Sequence, residues 1–526
     1  MICDARGWPC ATGAEMRAVD ADAIGRLGIP ARTLMESAGR AVAEAIATHF
    51  GEARRPLVAC GGGNNGGDGY VVARVLAEQG RGVTPRVLEL ARPERQSPES
   101  KANRDLLAGS AVELRSASDP DAIRAALAGC DLVVDAVFGV GLSRPVEGEA
   151  AILLRELAAS GLPIVAVDVA SGASSDSGAP LGLALEPALT VALGLPKLGQ
   201  ALVPAAGTIL VADIGFPAES VARAGIRQFL LTREAARALL PPRPLSGHKG
   251  TFGHALVVGG SLGKTGAALL SALGALRSGV GLLTIAAPRA LLPIYASRLA
   301  EAMGVPLADE GQGELGASHI DALLRESGAR DALIVGPGLG RSDGTVALAR
   351  ALAVRADVPA VVDADALFAL DGSLESLRAS APRVLTPHPG EAARLLGCDT
   401  AAVQADRAGS ARALARRAQA VAVLKGARSV VAHPAGDLSI NPSGGPGLAA
   451  GGSGDVLAGV IGALLARGIP AWDAARLGVY LHGAAGDLGP SLGGLASELA
   501  ARIPAAWRAL AEAESRDESG PLHPFP

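Results

Sequence analysis

Short apolar runs alternate with helical patterns along the first half of the chain. The runs PLVAC, TPRVLEL, DLVVDAVFG, PIVAVDV, LTVAL and TILVADIG predict buried strands. After the first run, GYVVARVLAEQG predicts a helix with one apolar face, formed by Val71, Val72, Val75 and Leu76. Two earlier segments, MRAVDADAIGRLGI and LMESAGRAVAEAIATHF, predict amphipathic helices. Short buried strands that alternate with helices indicate an α/β fold, with a parallel sheet covered on both faces.

The alternation stops at LLPPRPLSGHKG, whose closely spaced prolines disfavour a continuous helix or strand. It restarts with a helix predicted over 265–278 and with the strands HALVVGG, LLTIAAP, ALIVGPG, PAVVDADAL, RVLTP, AVAVLKG and VVAHP. We therefore predict two α/β domains in tandem, over 1–225 and 246–515. Residues 226–245 would be a linker, and the polar, proline-rich tail at 516–526 would be frayed.

Composition narrows the class of partner. The 526 residues include 48 basic and 52 acidic ones, and aromatic residues make up 2% of the chain. This balance argues against a nucleic-acid partner, which would call for a basic surface and stacking aromatics. The apolar stretch ALTVALGLPKLGQALVPAAG contains Pro196, Lys197 and Pro204, so no membrane-spanning helix is predicted. Scattered cysteines and the absence of a signal-peptide pattern at the start predict a cytoplasmic protein.

The stretch AAGGSGDVLAGV at 449–460 places Asp455 where a glycine-rich loop meets a helix. Glycines let backbone N–H groups surround a phosphate at a helix N-terminus. Asp455 would lie beside that phosphate and could accept a proton from a substrate hydroxyl. The alternative is an aspartate that caps the helix. Alone, His388 would be a rigid loop residue and Lys425 a surface charge. Together, the loops that carry His388, Lys425 and Asp455 predict a nucleotide pocket.

The stretch GGGNNGGDG at 61–69 joins a strand to a helix without the glycine spacing of a dinucleotide fingerprint. It could present N–H groups to a phosphate, or it could be a flexible turn. Asp135 and Asp168 stand at or near the ends of predicted strands, where Asn65 and Ser171 can join them. Such an oxygen cluster suits a monovalent or divalent cation. The alternative is that each aspartate caps the next turn.

The second half resembles the ADP-dependent NAD(P)H-hydrate dehydratase family, which has a ribokinase-like α/β/α fold. HKG, VVGGS, TGAA, GPGLG, DADAL, TPHPGE, LKG, GGSGDVLAG and YLHGAAGD carry the resemblance in order. It implies that ADP phosphorylates the hydroxyl of the hydrated ring and that phosphate then leaves, giving NAD(P)H, AMP and phosphate, with magnesium expected beside the nucleotide. The chain departs from the family at Gly445, where asparagine is common, and at Ala450, where threonine is common.

The same resemblance implies roles for particular residues. Asp455 would be the catalytic base. The adenine nucleotide would contact Lys425, Gly426, Ala427, Arg428, Ser429 and Gly454. The hydrated nicotinamide nucleotide would contact Ala267, Gly338, His388 and Asp455.

The first half resembles the NAD(P)H-hydrate epimerase family, a Rossmann-like three-layer α/β/α group. MRAVD, LMESAGRAV, GGGNNGGDG, DAVFGVGL, VAVDVASG and LPKLG carry the resemblance, with Ala170 where the family has proline. It implies epimerisation of the R and S hydrates, with Asp168 beside the epimerised carbon and Lys197 as a candidate for assisting proton transfer. Potassium would bind Asn65, Asp135 and Ser171. Substrate would contact Asn64, Asn65, Gly66, Gly67, Asp68, Gly139, Val140, Gly141, Leu142, Ser143, Arg144, Pro145 and Asp168.

Together the two resemblances imply one chain that repairs hydrated NADH and NADPH. A stereospecific dehydratase acts on one epimer, and an epimerase on the same chain would supply it from the other. A homo-oligomer is expected. A sugar or vitamin kinase and a non-catalytic nucleotide-binding regulator are the alternatives to this hypothesis.

Overall fold

The computed structural model describes residues 5–78, 82–204, 206–309, 313–378, 381–512 and 522–526. Residues 9–228 and 522–526 belong to one compact unit, and residues 5–8 and 229–512 belong to another. Both units are α/β, which confirms the fold class predicted from the sequence. No helix in the described residues is long and apolar enough to cross a bilayer.

The strands form two sheets. In the sheet of the first unit, the strand order is β19-β8-β7-β6-β5-β2-β3-β4. In the other sheet, the strand order is β1-β9-β18-β17-β16-β15-β14-β13-β10-β11-β12. The strands are β1 (Trp8–Pro9), β2 (Pro56–Cys60), β3 (Arg86–Glu89), β4 (Glu113–Ser116), β5 (Leu132–Ala136), β6 (Ile164–Val167), β7 (Leu189–Leu193), β8 (Thr208–Ala212), β9 (Gln228–Leu230), β10 (His254–Val258), β11 (Leu282–Pro288), β12 (Met303–Leu307), β13 (Ala332–Val335), β14 (Ala360–Val362), β15 (Arg383–Leu385), β16 (Val421–Leu424), β17 (Val430–Ala432), β18 (Leu438–Ile440) and β19 (Leu522–Phe525).

Helices connect most of these strands. They are α1 (Gly13–Ala21), α2 (Ala31–His49), α3 (Asn64–Glu78), α4 (Pro98–Asp105), α5 (Pro120–Leu127), α6 (Gly148–Ala159), α7 (Leu198–Leu202), α8 (Ala218–Arg223), α9 (Arg233–Ala238), α10 (Thr265–Arg277), α11 (Leu292–Ala296), α12 (Ile320–Gly328), α13 (Asp343–Arg355), α14 (Asp365–Phe368), α15 (Pro389–Leu396), α16 (Thr400–Ala405), α17 (Arg407–Ala418), α18 (Ser453–Ala466), α19 (Ala471–Asp487) and α20 (Ala496–Ala511).

The first unit has three layers because its central strands are buried on both faces. Val58 of β2 and Val134 of β5 pack with residues of α2 and α3 on one face of the sheet. Leu57 and Val133, their neighbours in sequence, pack with residues of α5 and α6 on the opposite face. β2, β5 and β6 are adjacent and parallel, so their carboxyl ends meet at one edge.

In the second unit, α18 is held in close contact with α10. A Cβ built on Gly459 would lie 1.9 Å from the carbonyl oxygen of Ser271, and one on Gly274 would lie 2.3 Å from that of Val456. Glycine permits this approach of two backbones, whereas a larger residue would push the helices apart. The Ser271 hydroxyl also donates to the Asp455 carbonyl oxygen at 2.9 Å. The first turn of α18 is therefore fixed in position.

Three predicted boundaries differ from the structure. The stretch predicted as a turn at 61–69 is non-helical only over 61–63, because α3 begins at Asn64. The linker predicted at 226–245 contains β9 and α9, and the hydroxyl of Thr232 caps α9 by accepting from the Ala235 N–H at 3.1 Å. The tail predicted as frayed lies outside the described residues up to 521, but Leu522–Phe525 form β19, antiparallel to β8.

Candidate active sites of the two units

A cavity of about 540 Å³ lies in the first unit, where β2, β5 and β6 end. One wall is apolar and comes largely from α1 and α2, with Met16, Leu34 and Met35 among its residues. The loops after the strands form the polar side. Of the predicted substrate residues, the cavity is lined by Asn64, Asn65, Asp68, Gly139, Val140, Gly141, Leu142, Ser143, Arg144 and Asp168.

Three predicted substrate residues are not part of this lining. A Cβ on Gly66 would lie 2.0 Å from the Gly61 carbonyl oxygen, and one on Gly67 would lie 2.6 Å from the Met35 sulfur. These two glycines therefore allow α3 to pack against its neighbours rather than presenting a surface to a ligand. Pro145 follows Arg144 and is exposed outside the lining.

Asp168 and Lys197 form a buried ion pair at this cavity. Asp168 directly follows β6 with φ of +68°, a backbone conformation that is uncommon outside glycine. The Lys197 ammonium, fully buried, donates to Asp168 Oδ1 and to the carbonyl oxygens of Leu193 and Leu195 at 3.0 and 2.8 Å. The Leu193 N–H donates to the same Oδ1 at 3.0 Å. All three ammonium protons are thus engaged by protein acceptors, and Lys197 holds Asp168 in position.

Two of the three predicted cation residues, Asp135 and Ser171, are in direct contact. Asp135, fully buried, accepts from the Ser171 N–H at 2.7 Å and from the Ser171 hydroxyl at 2.6 Å. Burial raises the pKa of Asp135 to about 6 despite these hydrogen bonds. A Cβ on Gly139 would lie 3.2 Å from Asn65 Oδ1, and the buried Asn65 Nδ2 has no hydrogen-bond partner among the described residues.

The structure adds Asp20 to the cavity, a residue to which the sequence analysis assigned no role. Asp20 lies on α1, and it lines the cavity with Asp68 and Asp168. Burial and the charge of Asp168 raise the pKa of Asp20 to about 6, while Lys197 acts in the opposite direction. The pKa of Asp68 is raised well above its usual range, chiefly by burial. The signal was present in the sequence, because Asp20 follows the buried Met16 by four residues and shares its helix face.

In the second unit, Asp455 is in the first turn of α18 but does not cap it. The N-cap is Gly452, and no side chain makes a capping hydrogen bond there. The alternative interpretation of Asp455 as a helix cap is therefore wrong. Burial and the charge of Asp363 raise the pKa of Asp455 to about 7, although Lys425 lowers it. A carboxylate with this pKa can accept a proton near neutral pH.

Lys425 is the cationic centre of the same cluster. Its Nζ lies 3.1 Å from Asp363 Oδ1 and 4.0 Å from Glu391 Oε2. A Cβ on Gly454 would lie 3.2 Å from that Nζ, which places the ammonium beside the start of α18. Burial alone would lower the pKa of Lys425, but the charges of Asp363 and Glu391 outweigh it and raise the pKa. Lys425 is therefore positively charged beside the helix N-terminus.

The DADAL segment supplies two carboxylates that the sequence analysis left without roles. Between Asp363 and Asp365, Ala364 has φ of +50°, a conformation that costs about 1–3 kcal/mol for a residue with a Cβ. Asp365 accepts from Arg341 Nε at 2.6 Å and from the Gly340 N–H at 3.0 Å. The two carboxylates on either side of this strained residue have different partners. Asp363 pairs with Lys425, whereas Asp365 pairs with Arg341 and the Gly340 N–H.

The remaining predicted residues fall into three places. The Nδ1 atom of His388, whose ring is largely exposed, accepts from the Gly390 and Glu391 N–H groups at 3.1 and 3.4 Å and so caps α15. Ala267 and Gly338 are neighbours, because a Cβ on Gly338 would lie 2.9 Å from that of Ala267. Residues 425–429 connect the antiparallel strands β16 and β17, so five of the six predicted nucleotide contacts share one hairpin turn, and the sixth, Gly454, lies in α18.

The two departures from the dehydratase motifs lie outside the charged cluster. A Cβ on Gly445 would lie 3.7 Å from Asp487 Oδ1, so an asparagine there would contact Asp487. The Ala450 carbonyl oxygen accepts from the Ser453 N–H at 3.3 Å, next to the start of α18. Neither change removes a charged side chain that surrounds Asp455.

The fold and the two sites define a two-domain α/β protein with a separate acid–base site in each domain. The family model described as YjeF-related protein N-terminus matches residues 31–199, and the model described as NAD(P)H-hydrate dehydratase matches residues 255–504. The bifunctional NAD(P)H-hydrate repair enzyme of Moorella thermoacetica is 45% identical over 90% of this chain and 91% of its own. The Escherichia coli enzyme of the same name is 34% identical, with 90% of this chain and 88% of its own covered.

Among solved structures, an ADP/ATP-dependent NAD(P)H-hydrate dehydratase from Bacillus subtilis is 34% identical and matches with a TM-score of 0.46. It covers 53% of this chain and 98% of its own. From the relatives that match along nearly their whole length, the chain belongs to the bifunctional NAD(P)H-hydrate repair enzyme family. This confirms the family predicted from the motifs of each half.

Proposed function

We propose that the first unit interconverts the R and S hydrates of NADH and NADPH and that the second unit dehydrates the S hydrate with ADP. The observation that carries the dehydratase assignment is the position of Asp455. It is not a helix cap, it lies at the N-terminus of α18 beside Lys425, and its pKa is about 7. A base of this kind next to a phosphate-binding helix end suits phosphoryl transfer to a hydroxyl.

The dehydration proceeds in two steps. Asp455 takes the proton of the ring hydroxyl, and the oxygen attacks the terminal phosphorus of ADP, which releases AMP. Phosphate then leaves the ring carbon, and the adjacent carbon loses a proton so that the ring double bond is restored. Lys425 and the backbone N–H groups at the start of α18 stabilise the charge on the transferring phosphoryl group. Phosphorylation is useful because phosphate is a far better leaving group than hydroxide.

Substrate positions follow from the loops around this cluster. The hairpin turn at 425–429 and Gly454 would contact the adenine nucleotide, and Ala267, Gly338 and His388 would contact the hydrated nicotinamide nucleotide. Magnesium would enter with the diphosphate, since this ion is usually held by phosphate oxygens and one or two carboxylates. Asp363 and Glu391 are the carboxylates nearest Lys425.

For the epimerase unit, the cavity-lining residues Asn64, Asn65, Asp68 and 139–144 would hold the substrate, with Asp168 beside the epimerised carbon. Potassium would bind Asn65, Asp135 and Ser171. These residues fit the ion, because Asp135 is fully buried, accepts hydrogen bonds from Ser171 and makes no ion pair among the described side chains. The side chains of Asp135, Ser171 and Asn65 also supply the oxygen atoms that a hard cation takes as ligands. Potassium would supply the positive charge that this buried carboxylate lacks. Homo-oligomerisation and a cytoplasmic location stay predictions.

The test uses each purified epimer with the full chain. With the S hydrate, dihydronicotinamide absorbance should recover when ADP is added. The R hydrate should be consumed without ADP by conversion to the S form. No recovery from the S hydrate by folded protein would contradict the dehydratase proposal, and recovery with ATP but not ADP would replace the proposed donor. A full-length protein that leaves the R hydrate unchanged would contradict the epimerase proposal.

A further inference from the structure

The epimerase cavity contains a carboxyl group that forms no ion pair with any described residue. Asp20 lines the cavity near the C-terminal end of α1. Within the described part of the chain, its carboxyl makes no hydrogen bond or ion pair. Asp168, which lines the same cavity, is held by the buried Lys197. Two carboxyl groups on one cavity therefore have opposite environments, which is how a fold provides both an acid and a base.

The position of Asp20 is fixed by the helix that carries it. The hydroxyl of Thr12 caps α1 by accepting from the Glu15 N–H at 3.2 Å, and the Glu15 carboxylate accepts from the Thr12 N–H at 2.7 Å. Met16 and Val19 are buried on the inner face of the helix. Asp20 thus reaches the cavity from an anchored helix rather than from a mobile loop.

In the described part of the chain, the charged side chains around α1 do not pair with Asp20. The charged residues of α8 and of the turn after α1 pair with one another. Asp22 pairs with Arg26 at 2.7 Å and with Arg223 at 3.3 Å. Arg26 also pairs with Glu219 at 3.0 Å. On α1 itself, Arg17 donates to the Val140 carbonyl oxygen at 3.4 Å.

The charged side chains that line the cavity with Asp20 are Asp68, Arg144 and Asp168, with Lys197 behind Asp168. Burial and Asp168 together raise the pKa of Asp20 to about 6. The Asp20 carboxyl is therefore protonated at mildly acidic pH and able to donate.

The chemistry of the substrate calls for both kinds of group. Hydration of an enamine ring places the hydroxyl on the carbon next to the ring nitrogen, so this carbon can invert by losing and regaining water. Departure of the hydroxyl requires an acid, and addition of water to the other face requires a base. Asp168 accepts the hydrogen bonds from the Lys197 ammonium and the Leu193 N–H on its Oδ1 atom. Its Oδ2 atom is therefore left for a group in the cavity.

We infer that Asp20 is a second catalytic residue of the epimerase, working as the acid–base partner of Asp168. This assignment rests on the proposed epimerase function. In one direction, Asp20 gives its proton to the hydroxyl, the C–O bond breaks with its electron pair, and water leaves. The lone pair of the ring nitrogen forms the C=N bond of an iminium ion.

A water molecule then adds to the opposite face, and Asp168 takes its proton. One proton has left Asp20 and one has reached Asp168, the substrate has the same composition, and no oxidant or reductant is needed. The reverse reaction exchanges the two roles.

The test compares Asp20→Asn with Asp22→Asn in the full chain, using purified hydrate without ADP and chromatography of the epimers. Asp20→Asn should lower kcat for epimerisation by about 10²–10⁴, with KM near that of the wild type. Asp22→Asn, two residues away in a surface ion pair, should epimerise like the wild type. Dehydration of the S hydrate with ADP should be unchanged in both variants, because Asp20 and Asp22 belong to the first unit. Urea denaturation of each variant, compared with the wild type, reports whether the first unit is folded.

Two further readouts distinguish an acid–base role from a structural one. In ¹⁸O-labelled water, wild-type epimerisation should place the label in the ring hydroxyl at each inversion, and Asp20→Asn should lose labelling and inversion together. The wild-type kcat/KM should fall as pH rises through about 6, and Asp20→Asn should lose this dependence.

Epimerisation by Asp20→Asn at the wild-type rate, a loss confined to KM, or wild-type inversion that retains the original oxygen would each overturn the inference. Absence of epimerisation by the wild type would instead overturn the proposed function of the unit.

Discussion

Each unit has a candidate catalytic aspartate, Asp168 after a buried strand and Asp455 at the start of a helix, and the two aspartates have different surroundings. Asp168 is in direct contact with a buried ammonium group, that of Lys197. Asp455 has no such direct ion pair among the described residues and instead feels the opposing charges of Asp363 and Lys425. The first arrangement holds the carboxylate beside a fixed positive charge, whereas the second leaves Asp455 with a pKa of about 7. The role of each aspartate is therefore set by its neighbours rather than by its residue type.

The largest effect is expected from Asp455→Asn. Loss of the base should lower dehydration of the S hydrate by about 10²–10⁴, and epimerisation by the other unit should be unchanged. Both rates can be measured on one preparation, by absorbance recovery with ADP and by chromatography without it. Asp343→Asn is a matched control, since Asp343 also stands in the first turn of a helix but is exposed. Normal dehydration by Asp455→Asn would remove Asp455 from the mechanism.

Lys197→Met tests the other side of the comparison. Removing one partner of a buried ion pair costs about 3–5 kcal/mol, because the remaining charge is left unpaired. We expect a loss of this size in the free energy of unfolding of the first unit, measured by urea denaturation, together with loss of epimerisation. Lys101→Met, at an exposed position of α4, serves as the control. A change below about 1 kcal/mol would mean that the pair contributes no more than a surface ion pair.

The pH dependence of dehydration should reflect the surroundings of Asp455. Its pKa is raised to about 7, so the base form is scarce in acid and present above neutrality. The kcat/KM for the S hydrate should rise about tenfold per pH unit on the acid side of this pKa and then level off. Stopped assays at a series of pH values would give the profile. A rate that is level on both sides of neutrality would contradict the assignment.

A smaller effect is expected from potassium. If potassium binds only the folded first unit, a concentration of ten times its Kd should raise the free energy of unfolding by about 1.4 kcal/mol. Thermal unfolding should therefore shift upward in potassium chloride relative to sodium chloride of equal ionic strength. Asp135→Asn should lose the shift, because the buried carboxylate at the predicted site is gone. An equal shift in both salts, or one that persists in the variant, would argue against this ion site.

Much of the fold was predictable because the chain repeats a strong local pattern. The buried runs at β2, β5 and β7 appear as strands in the sequence and in the structure. β4 was missed because all four of its residues are exposed and show no apolar run. β19 was missed because it contains Pro524, yet it pairs at the edge of the sheet, where a proline is tolerated. Edge strands depend on partners distant in sequence, which local patterns do not report.

The site was predictable in part for the same reason. The loops that carry Asp455 and Lys425 follow recognisable patterns, and the structure brings these residues together. The partnership of Asp168 with Lys197 could not be deduced from spacing, since it depends on how β6 and the segment after β7 meet in three dimensions. Asp20 was overlooked because its helix, read alone, looks like an ordinary amphipathic surface helix.

The central claim is that two separate sites on one chain complete one repair. The most direct measurement follows dihydronicotinamide recovery from an equal mixture of R and S hydrates with ADP, for the wild type and for Asp168→Ala. The wild type should recover the whole mixture, and Asp168→Ala should rapidly recover only the S half while its rate on pure S hydrate stays normal. Rapid recovery of both halves by Asp168→Ala would contradict the assignment of epimerisation to Asp168 and the first unit.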